Sequence, residues 1–284
     1  MKWIFENWIK LLTVYLGYGF AWYVGWKLSI NFETIANITS WFLPAGVRVS
    51  SLLLIDKKYW PVIALSEFTV IYAVNSSEHF YTTMLAEEVG TLLPILIYMV
   101  VIHLYLKSSK HARLDSVQPV IKLLAWSGLG AILTAASLAT SLMLEGQVPQ
   151  DKLITTISSF LLGDFIGILL LVPFGYTVKT LRMADGLSSD LKRVLTGANI
   201  TLFSISLIIT ILLIQQNMVY YIKLFSFILI IIFAYRGGWL GAAISVFMVN
   251  VIIIFASYIA ADFGDMLEKQ LYLIAISMTG LILG

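Results

Sequence analysis

Apolar residues run together in long blocks along this chain, and short polar joints separate them. The blocks fall at about 9–28, 39–55, 59–75, 82–106, 120–144, 153–178, 197–214, 219–235, 238–258 and 269–284. Helices of this length cross roughly 30 Å of hydrocarbon, although the second, third and last blocks are short. The pattern predicts an all-α fold: a polytopic integral membrane helical bundle of about ten transmembrane helices, forming one domain over 1–284. No joint between blocks is long enough to fold as a globular domain of its own.

Charge then orients the bundle. With the N-terminus in the cytoplasm, alternate joints carry Lys57 and Lys58; Lys107, Lys110 and Arg113; Lys179, Arg182, Lys192 and Arg193; and Arg236. The opposite joints carry Glu33, Glu78, Glu145, Asp151, Asp262, Asp265 and Glu268. Basic residues concentrate in short cytoplasmic loops. The pattern predicts an even number of spans with both termini cytoplasmic, and removing one span would put basic loops on both sides.

Composition agrees: 60% of the 284 residues are hydrophobic and 12% charged, against about 25% charged in soluble domains. The absence of cysteine excludes a disulfide framework and a thiolate metal site. A net charge of +2 gives no footprint for nucleic acid. The first block is long enough to stay in the membrane and lacks a clear cleavage site. Small residues at four-residue spacing, Gly17–Ala21–Gly25, Gly163–Gly167 and Gly237–Gly241, predict close helix packing. Trp3, Trp8, Trp26, Tyr59, Trp60 and Trp239 fall near span ends, as interface anchors do.

Polar residues inside the blocks are the candidate chemistry. Arg48 lies about 8 residues into the second block, or roughly 12 Å along a helix. Glu67 lies mid-way along the third block, Glu87 and Glu88 in the outer half of the fourth, Asp164 mid-way along the sixth and Asn250 in the ninth. A charge at the bilayer centre costs about 2.5–3.5 kcal/mol on insertion scales, so such residues face the interior and find partners. Arg48 is expected to pair with Glu67, Glu88 or Asp164 around a polar pocket open to the periplasm. An anionic ligand suits Arg48; a cation or proton suits the carboxylates. The same residues serve equally as a register-fixing ion pair with no ligand. Pro44 and Gly46, and Pro173 in the sixth block, are expected to break or kink helices. A broken end at Pro44 offers free backbone groups to a ligand, or merely helps packing. Pro61 is a first-turn proline.

His79, His103 and His111 are scattered, with no paired His and carboxylate spacing, so no metal is expected. Neither a nucleophile–base set, nor a phosphate loop, nor a dinucleotide fingerprint is present, and no catalytic residue or cofactor is assigned. The "SGLG" at 127–130 reads as packing. Triplets at 37–39, 75–77 and 199–201 match the glycosylation pattern and carry no weight.

Four stretches, taken in order, resemble a known family. They are "WFLPAGVRVSSLLLIDKKYWPVIALSEF", "GDFIGILLLVPF", "YRGGWLGAAISVFMVNVIIIFAS" and the terminal "LYLIAISMTGLILG". Their order and spacing are similar to the membrane-associated sensor domain of the MASE type, first class, over about residue 15 to the end. The resemblance implies an integral-membrane input module of bacterial histidine kinases and diguanylate cyclases. It implies an inner-membrane location, a cytoplasmic output domain in cis that is absent from this chain, and a homodimer by analogy. A transporter-like membrane partner is a further expectation. An uncharged end at Gly284 suggests a fragment of a longer receptor. The competing expectation is a small-solute transporter or transporter subunit, since carriers also combine broken helices with midplane charges. Only a loose "VPFGYTV" at 172–178 echoes "LPAGVRV" as an internal repeat. An intramembrane enzyme fits least.

Overall fold

The computed structural model describes residues 2–35, 38–78, 84–108, 117–183, 196–216, 218–259 and 265–284. His79, Lys110, His111, Arg113, Lys192, Arg193 and Asp262 lie outside the described residues, as do the side chains of Trp3, Glu33, Glu78, Glu87, Glu88 and Arg182. Nine helices cover most of the described chain: α1 (Lys2–Ile30), α2 (Leu43–Leu54), α3 (Trp60–Glu78), α4 (Met84–Ser108), α5 (Val117–Leu144), α6 (Leu153–Met183), α7 (Gly197–Gln215), α8 (Val219–Ile259) and α9 (Met266–Leu283). A short antiparallel ribbon, β1 (Glu33–Ile35) with β2 (Ile38–Thr39), closes the joint between α1 and α2. It pairs Glu33 with Thr39 and Ile35 with Ile38.

The all-helical expectation holds, because in lipid each backbone group must bond within its own segment. Among the described residues, five stretches are long and apolar enough to cross a membrane: Val89–Ser108, Gln118–Leu144, Gln150–Lys179, Tyr220–Ser257 and Met266–Leu283. The second apolar block instead yields α2, 12 residues long and only about 18 Å, too short to cross alone. Hydroxyls inside helices bond back to their own turn, as in Ser29 to Gly25 O (2.8 Å), Thr210 to Ser206 O (2.8 Å) and Ser226 to Ile222 O (2.7 Å). Large apolar side chains remain exposed, among them Ile200, Ile205, Ile208, Ile211 and Leu212 on α7. Contiguous exposed apolar surface of this kind marks a membrane or protein contact face.

The chain divides into two compact units, residues 1–113 with 121–168, and residues 114–120 with 169–284. In the first, α1 packs on α2 and α3, and α4 packs on α2 and α3. The inward face of α1 is Tyr18, Trp22, Gly25, Trp26 and Ser29, all buried, which is the 3.6-residue period of one helix face. Gly17 and Ala21 are exposed, so only Gly25 of the expected small-residue stripe meets another element, lying against Leu43.

In the second unit, α8 packs on α7 and α9. Its long apolar stretch of 38 residues would measure about 57 Å if straight, close to twice the roughly 30 Å thickness of the bilayer core. It turns at Gly238, whose φ of 57° and ψ of −148° lie in a region open to glycine alone. The turn is tight: a side chain at Gly241 would stand 2.3 Å from the Phe233 carbonyl oxygen. α9 starts on an Asp265 cap, which accepts from Glu268 N at 2.7 Å. Gly280 lets α9 approach both arms of α8, at Ile230 and Val246.

Gly238→Val is expected to destabilise the protein by roughly 1–3 kcal/mol, the cost of one strained backbone position. Gly17→Val, with no neighbour within 4 Å, is expected to leave stability unchanged. Thermal unfolding of both variants in detergent checks this. An unaltered midpoint for Gly238→Val would show that the turn does not need a left-handed residue.

Candidate functional site

The start of α2 is gripped from two sides. Phe42 N donates to the Gly163 carbonyl of α6 at 2.9 Å, and Leu43 N donates to Ser29 Oγ of α1 at 3.0 Å. The first N–H groups of a helix have no partner within it. Here α1 and α6 supply acceptors, and Phe42 itself provides no side-chain cap. Pro44 follows in the first turn, where its missing N–H costs nothing. Contrary to expectation, Pro44 therefore opens a helix rather than breaking one. Gly46 lies inside the same unbroken helix, and α6 continues through Pro173. The missed feature is Pro94, which lies inside α4. Gly167 permits the grip: a Cβ there would stand 2.1 Å from the Phe42 carbonyl oxygen.

This placement drives Arg48 into the unit, where it is 2% exposed. Its Nε and Nη2 donate to Glu67 Oε1 at 2.8 and 2.5 Å. Tyr18 of α1 donates its hydroxyl to Glu67 Oε2. Both Glu67 oxygens are thus engaged, and one pair joins α1, α2 and α3. The expected partnership of Arg48 with Glu67 is present.

Asp164 is reached indirectly. The Arg48 guanidinium lies over the Tyr98 ring, 5.2 Å from its centroid, and Tyr98 donates its hydroxyl to Asp164 Oδ2 at 3.2 Å. Tyr98 therefore stands between the cation and the second carboxylate. Gly130 of α5 makes room for that ring, since a Cβ there would stand 2.8 Å from it. That observation gives the "SGLG" stretch its packing role. Glu88, a third candidate, lies outside the described side chains. Asn250 belongs to the second unit, where it donates to Val246 O (2.7 Å) and Ser277 Oγ (2.9 Å), joining α8 to α9. His103 is exposed, with its ring 3.3 Å from Lys57 Nζ.

Beside Arg48 and Asp164 lies a cavity of about 170 Å³, lined by α1, α3, α4, α5 and α6 as well as by Arg48. It extends to Ser29, Thr39 and Leu142, at the end of the unit that carries the ribbon. Trp22, Trp26 and Asn75 form much of its wall. Sequence reasoning missed Tyr18, Tyr98, Trp22 and Asn75, which are ordinary residues for a membrane helix. Among the described residues no group of three or more His, Cys, Asp or Glu side chains could hold a metal.

Replacing Arg48 or Glu67 singly by Met is expected to cost about 3–5 kcal/mol, because each leaves a buried charge unpaired. The double replacement is expected to recover most of that loss. A double-mutant cycle on unfolding in detergent measures the coupling, and additive losses would show that the two charges do not act as a pair.

A family model described as MASE1 matches residues 10–284. The signal transduction histidine-protein kinase/phosphatase UhpB of Salmonella typhimurium (strain LT2) is 28% identical over 295 residues, covering 100% of this chain and 54% of that protein. The chain therefore spans about half the length of this curated relative. No solved structure matches.

Proposed function

The chain belongs to the MASE1 family, and from that premise we propose that it is the sensory input module of a bacterial signalling receptor whose output is a histidine kinase in cis. It is a multi-pass protein of the bacterial inner membrane. We take the ten apolar blocks as ten crossings with both ends cytoplasmic, the 12-residue α2 completing its crossing with the residues that flank it, supported by the alternation of basic and acidic joints. By analogy with receptors of this kind, the working unit is a homodimer.

The observation that carries the sensory reading is the buried Arg48–Glu67–Tyr18 group beside a cavity. Intramembrane ionisable residues mark functional sites by default. A ligand acts on such a module only by binding two conformations with different affinity. The cavity abuts the first turns of α2, which depend on acceptors from α1 and α6. Filling it would therefore bear on α6, the helix whose later half belongs to the second unit. The kinase/phosphatase named for the Salmonella relative makes a kinase output the favoured reading over a cyclase.

The test is a chimera in which residues 1–284 replace the membrane half of that relative, with phosphorylation of its response regulator as readout. Arg48→Met is expected to change the basal kinase-to-phosphatase balance by about fivefold or more, equivalent to roughly 1 kcal/mol between states. Unchanged output from an inserted, stable variant would sink the sensory role of this site. Solute uptake by proteoliposomes of the unfused chain would instead establish a transporter.

A further inference from the structure

The cavity wall holds hydrogen-bonding groups that the protein leaves idle. Trp22, Arg48, Asn75 and Thr134 all line it, and all are at least nine-tenths buried. Each carries a polar atom without a partner among the described residues: Trp22 Nε1, Arg48 Nη1, Asn75 Nδ2 and Thr134 Oγ1. The first three are donors that never accept. Unmet buried donors are rare in native proteins and call for an explanation.

The charges on the same wall do not balance either. Glu67 is taken up by Arg48 and Tyr18. Asp164, 5% exposed, accepts from the Tyr98 hydroxyl, and Arg48 acts on it through space without a direct ion pair. No cation pairs with it among the described residues, where Arg48–Glu67 is the one buried ion pair. The cavity wall therefore carries, among the described residues, three enclosed donors without acceptors and one carboxylate without a direct ion-pair partner. A simple anion would serve the donors but place a second negative charge beside Asp164. A simple cation would serve Asp164 and leave the donors idle. A neutral polyol would leave the carboxylate uncompensated.

We propose that the cavity binds a small zwitterion of the amino-acid class, with its ammonium group at Asp164 and its carboxylate at Arg48 Nη1, Asn75 Nδ2 and Trp22 Nε1. Such a ligand meets both needs and adds no net charge to a low-dielectric site. The Trp22 and Trp26 rings supply apolar wall, and Trp faces tolerate an ammonium well. The volume, about 170 Å³, has room for a molecule of that size in place of several waters. This assignment rests on the cavity being the sensing site and names what it senses.

The experiment uses the purified full chain in detergent, with thermal unfolding and calorimetric binding as readouts. The probes are the natural L-amino acids, each beside its deaminated acid and its decarboxylated amine. At least one amino acid is expected to raise the melting temperature and bind, while its two singly charged relatives do neither. Asp164→Asn, which is isosteric, and Trp22→Phe, which removes the indole N–H together with part of the ring, are expected to weaken that binding by about tenfold or more and about threefold respectively, as loss of a charged or a neutral partner does. Binding of the deaminated acids alone, strengthened by Asp164→Asn, would overturn the zwitterion in favour of an anion site. Absence of binding by every probe would overturn the assignment too. The chimera readout with Arg48→Met is independent of any probe, so it separates this failure from failure of the sensory reading.

Discussion

Arg48 and Glu67 meet where both are buried, and three helices are arranged around them. Either charge alone would be prohibitive inside a bilayer. Together they are tolerable because the geometry uses what each offers: two guanidinium nitrogens on one carboxylate oxygen, and the Tyr18 hydroxyl on the other. The pair ties α2 to α3, and Tyr18 adds α1. A buried pair of this kind is a poor source of net stability, since desolvation offsets much of the attraction. Its strength is specificity, because any other register of α2 would strand both charges.

The same rule of full satisfaction explains the odd beginning of α2. A helix that starts inside the unit brings N–H donors that lipid cannot answer. Ser29 Oγ and the Gly163 carbonyl answer two of them, and Pro44 removes a third. This solution demands that the start of α2 lie flush against α6, which only glycine at position 167 allows. Anything entering the cavity beside Arg48 therefore acts on a helix start held by acceptors from two other helices. Local structure, packing and the sensory proposal join at this point.

The second unit uses polar groups differently. Asn250 and Ser277 hydrogen-bond between α8 and α9 without any charge. Lys223 pairs with Glu268 at 2.5 Å, and Tyr272 donates to Lys223 O at 2.5 Å, both nearer the start of α9. α9 is thus fixed to α8 at more than one level along its length.

The membrane class, the helical content and the identity of the troublesome residues were all legible in the sequence. A bilayer forces these features on composition itself: apolar blocks must be helices, and a charge within one must find a partner. Arg48 announced that it needed a carboxylate. Which carboxylate it took was a tertiary matter, decided by the packing of α3 on α1 and by the Tyr98 ring that stands before Asp164. The start of α2 at Leu43 was likewise invisible, since it depends on acceptors from Ser29 and Gly163, far away along the chain. Trp22, Asn75 and Thr134 bear no signature of their own. They came to line one cavity with Arg48 and Asp164 only when folding brought α1, α3, α5 and α6 together.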